Sequence, residues 1–127
     1  METTMLKFHG IQYQVPEGFE FLDKEINEYP SFCGAGDGIG DKIVPEVIGG
    51  MRCSHICHAH DECWSLCEPT RVAFIKSNMM FGYNLSVYLS TGKGFWTTIW
   101  RLVKGAVYVA AVSTVGWKIF KKIKQIK

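Results

Sequence analysis

Hydrophobic positions recur with helical spacing from about residue 51 onward, and no sustained period precedes them. In the stretch MRCSHICHAHDECWSLC (51–67), Cys53, Cys57, His60, Trp64 and Cys67 follow one another at steps of four, three, four and three. At about 3.6 residues per turn they fall on one face, so the spacing predicts a helix. Pro69 marks its stop, and Thr70 is placed to cap a second helix over 70–89. In that helix Ala73, Ser77, Met80, Asn84 and Val87 share one side, and Phe74, Asn78, Phe81, Leu85 and Tyr88 share the adjacent side. Ser90–Gly94 reads as a turn, and 95–123 as a third long helix, weakened by two threonines and by Gly105 and Gly116.

Before residue 51 the pattern is poorer. Phe8, Ile11, Tyr13 and Val15 partly alternate, which predicts a short strand or hairpin around Lys7–Val15, broken at Pro16–Gly18. Phe19–Ile26 reads as a short helix ahead of Pro30. Residues 31–50, SFCGAGDGIGDKIVPEVIGG, form a glycine-rich loop, with a weak element around Ile43–Ile48 interrupted by Pro45.

The length of 127 residues suggests one domain, and 47% hydrophobic against 20% charged residues predicts a folded one. Net charge is only +2, but it is uneven. Lys118, Lys121, Lys122, Lys124 and Lys127 crowd the last ten residues, and the front half is more acidic. A basic end beside apolar residues points to an anionic surface, a phospholipid bilayer first of all. No base-reading motif accompanies the basic residues, so nucleic acid is not expected. The uninterrupted apolar run Gly105–Trp117 is 13 residues, short of the roughly 20 that cross a bilayer. Core, membrane-surface and spanning roles therefore stay open for 95–127. Residues 1–30 hold scattered charges and no clean apolar run. That pattern suggests a cytoplasmic or peripheral-membrane protein, with non-classical export or association with a virion left open. Five cysteines are an odd count and argue against a complete disulfide framework.

The candidate chemistry centres on His60-Asp61. Adjacent helical residues project about 100° apart, so these two can line one cleft in different roles. An imidazole suits a base near neutral pH, and a carboxylate with backbone carbonyls suits calcium. The stretch Cys57-His58-Ala59-His60-Asp61-Glu62-Cys63-Trp64 resembles the helix signature of secreted-type phospholipases A2. Phe32-Cys33-Gly34-Ala35-Gly36 resembles their calcium loop, and the two occur in the family's order. The resemblance spans about residues 31–82 and is nearest to the bacterial and phage-like branch. It implies a mainly α fold: two antiparallel core helices, a glycine-rich calcium loop and a further C-terminal helix.

It further implies a Ca2+-dependent ester hydrolase acting on a glycerophospholipid, with sn-2 the position the family cleaves. His60 falls on the general base and Asp61 on the calcium carboxylate. The carbonyls of Phe32, Gly34 and Gly36 fall on the loop ligands, and Cys33 and Cys57 on a bridged pair. Asn78 stands where the family has the aspartate that orients the histidine, and Trp64 where it often has tyrosine. The gap from Cys33 to His60 is longer than in the family, and Asp37 or Asp41 could add a ligand there. Two other readings compete. In one, Cys53, Cys57, His60, Cys63 and Cys67, with Cys33, hold a structural zinc. In the other, the scaffold is catalytically weak or inactive and binds a membrane or a protein through its apolar and basic C-terminal segment.

Overall fold

The computed structural model describes residues 2–33 and 45–126. The chain opens with an antiparallel hairpin, β1 (Thr3–Phe8) and β2 (Ile11–Pro16), in which Phe8 faces Ile11 across the turn. His9 and Gly10 both have positive φ, 48° and 83°, the conformation that a two-residue hairpin turn requires. Tyr13 and Val15 alternate inward from β2 and are fully buried. The Asn84 side chain grips β2 at Gln14, accepting from its N–H and donating to its C=O, each at 2.8 Å. The hairpin that the alternating residues suggested is therefore present, and it starts earlier than Lys7.

The helix expected over Phe19–Ile26 does not form. Phe19 and Phe21 both turn into an aromatic cluster, their rings 5.0 Å apart. Only a single 3-10 turn follows, at Ile26–Glu28. A second short hairpin, β3 (Val47–Ile48) and β4 (Met51–Arg52), precedes the first α-helix.

Four α-helices follow: α1 (Ser54–Leu66), α2 (Arg71–Leu89), α3 (Phe95–Thr114) and α4 (Gly116–Lys124). The Thr70 hydroxyl caps α2 by accepting from Ala73 N–H at 3.1 Å. The helix expected over 95–123 bends by 47° at Val115. Gly116 lets the chain beyond the bend approach α1 closely, because a Cβ there would lie 3.2 Å from the Trp64 ring. The described residues thus form a small mixed α/β domain with four helices and two antiparallel hairpins, rather than a mainly α one.

Helix α1 runs through the middle. Cys53, Cys57, His60, Trp64 and Cys67 are all buried, as their spacing predicts. Helix α2 and strand β2 pack on α1, and α3 packs on α2. Two glycines bring α2 and α3 together: a Cβ at Gly105 would meet Leu89 at 3.1 Å, and one at Gly82 would meet Val109 at 3.5 Å. Helix α4 returns across the end of α1. Phe120 is fully buried, between Trp64 (5.5 Å between ring centres) and Phe74 (5.1 Å). The Lys124 ammonium donates to the carbonyls of Ser65 (2.8 Å) and Cys67 (2.7 Å). These oxygens lie at the end of α1, where a cation meets the negative end of the helix dipole.

Candidate functional site

His60 is held where α1 crosses α2. Its Nε2 lies 2.8 Å from Asn78 Oδ1. A carbonyl oxygen only accepts, so this bond places a ring proton on Nε2. The imidazole stacks on Phe81 (4.5 Å, 27° between planes) and lies 4.8 Å from Trp64. Burial drives its pKa down to about 4, outweighing the Asn78 bond, which acts upward. Asn78 Nδ2 and Trp64 Nε1 are buried beside it without a hydrogen-bond partner. The sequence thus placed His60 and Asn78 together correctly. The Cys33–Cys57 disulfide is also present, with Cα atoms 5.0 Å apart.

The calcium-dependent hydrolase is overturned. Asp61 makes no contact with His60. It follows His60 on α1 but is exposed, while His60 faces the core. Crowding by the protein pushes the Asp61 carboxyl up to about 7, with Glu46 and then Glu62 adding to it. Water reaches this exposed side chain and screens part of that shift. Glu46 is itself engaged by the Cys33 N–H (3.0 Å) and the Ser54 hydroxyl. Among the described residues no group of three or more His, Cys, Asp and Glu side chains could hold a metal ion. The expectations of a hydrolase, of lipid degradation and of a metal-binding protein fail with it. The loop carbonyls of Gly34 and Gly36, and Asp37 and Asp41, lie outside the described residues. The structural zinc fails on the same finding, and the Cys33–Cys57 bridge removes two of its proposed thiolates.

Two other histidines on α1 are also drawn inward. His55 is fully buried. Its Nε2 is 3.0 Å from Tyr13 Oη, and burial drives its pKa down to about 3. His58 stacks on Phe32 (4.1 Å, 17°) and bonds Tyr29 Oη through Nδ1. Burial lowers its pKa too, against the opposing pull of Glu62.

The largest unexpected feature is on α3. Trp64 and Phe81 are buried, whereas Trp96 and Trp100 are 77% and 59% exposed. Ile99, Val103 and Val107 are exposed beside them, and so are Ala106 and Ala110. At helical spacing these residues share one side of α3. Gly105 and Val112 share the opposite side, which is buried. Phe95, 71% exposed, begins the helix next to Lys93. A helix apolar on both sides is ordinarily covered on both. Lys104 lies 5.5 Å from the Trp100 ring. Beyond the bend, Lys118 and Lys122 are exposed on α4.

The charge distribution supports this surface. All twelve Asp and Glu residues lie at or before Glu68, whereas ten of the fourteen Lys and Arg lie after it. That separation was in the sequence, and reading the terminal lysines alone understated it. No family model, curated protein or solved structure matches this chain.

Proposed function

We propose that this chain is a binding module that docks on anionic phospholipid bilayers through the outward side of α3, with the His60–Asn78 pair as a clasp between α1 and α2. The likeness to secreted-type phospholipases A2 enters this reading as a scaffold and not as an activity.

One observation carries the proposal: the exposed stripe of Phe95, Trp96, Ile99, Trp100, Val103 and Val107, flanked by lysines in a region without any acidic side chain. Contiguous exposed apolar surface on this scale marks an interaction site. Indole rings favour the interface between headgroups and acyl chains. Lys93 and Lys104 border the stripe, Lys118 and Lys122 are exposed on α4 in the same acid-free region, and a basic residue near an anionic bilayer contributes about 1 kcal/mol.

The proposed mode is peripheral. No single described helix is long and apolar enough to cross a membrane. Helices α3 and α4 meet the length and composition only as a bent pair. Phe120 and Lys124 fasten α4 to the end of α1, which favours α3 lying on the surface.

Flotation with vesicles of anionic and of zwitterionic lipid tests the reading. The protein should float with the anionic vesicles, and raised salt should weaken that association. Changing Lys93, Lys104, Lys118 and Lys122 to Gln should cost roughly 4 kcal/mol, about a thousandfold in partitioning. Equal partitioning of the variant and the parent would refute the proposal, as would failure of the parent to bind.

A further inference from the structure

His55 is a buried titratable group enclosed by several elements at once. Its ring faces Phe8 of β1 (5.7 Å), Tyr13 of β2 (5.3 Å) and Tyr88 of α2 (4.7 Å). From the segment before Cys33 it faces Phe21 (6.2 Å) and Tyr29 (6.1 Å). Nε2 meets Tyr13 Oη, and Nδ1 is buried without a partner.

The other titratable and charged groups near this cage come from every element around it. They are Tyr13 of β2, Tyr29 of the following segment, Tyr88 of α2, His9 in the hairpin turn and Cys53 at the start of α1. Arg101 of α3 acts on Tyr88. None of them is a carboxylate. A second ring proton would therefore create an imidazolium with an unmatched Nδ1–H and no counter-charge, which a buried site does not tolerate. The depressed pKa has this same cause: burial first, then the charge on His9.

The cage is also a joint between two halves of unlike charge. Residues 2–29 carry Glu2, Glu17, Glu20, Asp23, Glu25 and Glu28 against Lys7 and Lys24. They reach the helices through this cluster, through the Asn84 grip on Gln14, and through Tyr29, which meets His58 and accepts from Leu22 N–H. Beyond them the Cys33–Cys57 bridge tethers the chain to α1. If the cage opens, the acidic arm can leave while its far end stays attached.

We propose that His55 is an acid-sensitive latch: its protonation releases the β1–β2 hairpin and the segment to Tyr29 from α1. This moves an acidic arm away from the basic helical half and strengthens docking on anionic bilayers. The membrane consequence rests on the function proposed above, whereas the release does not. The sign follows from linkage. A released His55 titrates near its ordinary 6.5 and a caged one near 3. The latch is therefore secure above pH 6.5 and weakens as pH falls. At pH 5 the release equilibrium should shift by roughly thirtyfold through His55 alone. His58 adds in the same direction.

Hydrogen exchange, expressed as protection factors for β1, β2, α1 and α2 between pH 7.5 and 4.5, reads the release directly. The hairpin amides should lose protection before those of α1 and α2. In His55→Gln or His55→Leu the response at pH 5 should shrink by roughly thirtyfold, His58 retaining the rest. A polar and an apolar replacement together keep one misfolded protein from deciding the outcome. The parent supplies an independent check, since the His55 ring resonance must titrate with the same midpoint as hairpin exchange. Unchanged acid response in the variants, separate midpoints in the parent, or simultaneous loss of hairpin and helices would each overturn the latch. Vesicle flotation at pH 7.5 and 5 adds the second arm. Release without tighter binding would retain the latch and reject its membrane consequence. Absence of binding at both values would reject the proposed function alone.

Discussion

Replacing Phe120 by alanine separates a docked α4 from a loose basic tail. The Phe120 ring is fully buried and touches Trp64 on α1, Phe74 on α2 and Trp117 on α4 itself. Its removal loses the transfer free energy of a whole aromatic side chain and leaves a cavity between three rings that are fixed by their own neighbours. Such substitutions cost about 3–5 kcal/mol. Total stability for a domain is about 5–15 kcal/mol, so the loss is a large part of the whole. For a chain of this length each kcal/mol corresponds to roughly 4 °C in Tm, giving a fall of about 12–20 °C. Urea unfolding followed by tryptophan fluorescence measures it through the shift in midpoint at unchanged slope. A loss below about 1 kcal/mol would show that α4 is not part of the core, and the arrangement at the end of α1 would be wrong. The same packing means that deleting residues 118–127 removes Phe120 and Lys124 together. A truncation therefore tests the fold, and point changes at exposed lysines are needed to test the membrane.

Two expectations concern His60. Its folded pKa, near 4, lies below the unfolded value near 6.5. Its contribution is thus complete above pH 6.5 and is lost as pH falls toward 4, about 2 kcal/mol by pH 5; urea midpoints that stay flat from pH 7.5 to 5 would contradict this. Asn78→Ala leaves the buried Nε2–H of His60 unmatched and should cost about 1–3 kcal/mol, and a variant of parental stability would show that the bond contributes nothing.

Much of the α-helical layout was legible because helical period, Pro69 and Thr70 all act locally. The buried face of α1 followed from the positions of Cys53, Cys57, His60, Trp64 and Cys67, and the His60–Asn78 pairing from their places on two neighbouring helices. The chemistry assigned to that pair was not legible. A His-Asp dipeptide on a helix is compatible with a site, yet the two side chains divide between the core and the solvent. What placed them so was the packing of Phe81 and Trp64 around the imidazole, a tertiary effect. The exposure of Trp96 and Trp100 has a similar source. Helix α3 is apolar around most of its circumference, so periodicity could not say which side meets α2. Gly105 and Gly82 make that choice by allowing close approach on one side only. The Phe19–Ile26 helix failed because Phe21 serves the aromatic cage around His55 and Phe19 packs on Phe21 and His58, a demand invisible to local propensity. The charge separation about Glu68 needed no structure at all, only a count over both halves.

Docking through α3 requires Trp96 and Trp100 to enter the bilayer. Tryptophan fluorescence can be recorded with anionic vesicles that carry a quencher on the acyl chain near the headgroup. Trp64 is buried and Trp117 half-buried, both against Phe120, so the component that the double variant removes comes from the two exposed indoles. The parent should be strongly quenched and shift to the blue, whereas the double variant Trp96→Phe, Trp100→Phe should show little of either. Equal quenching in the two proteins, or none in the parent under conditions where it floats with the vesicles, would contradict docking through α3.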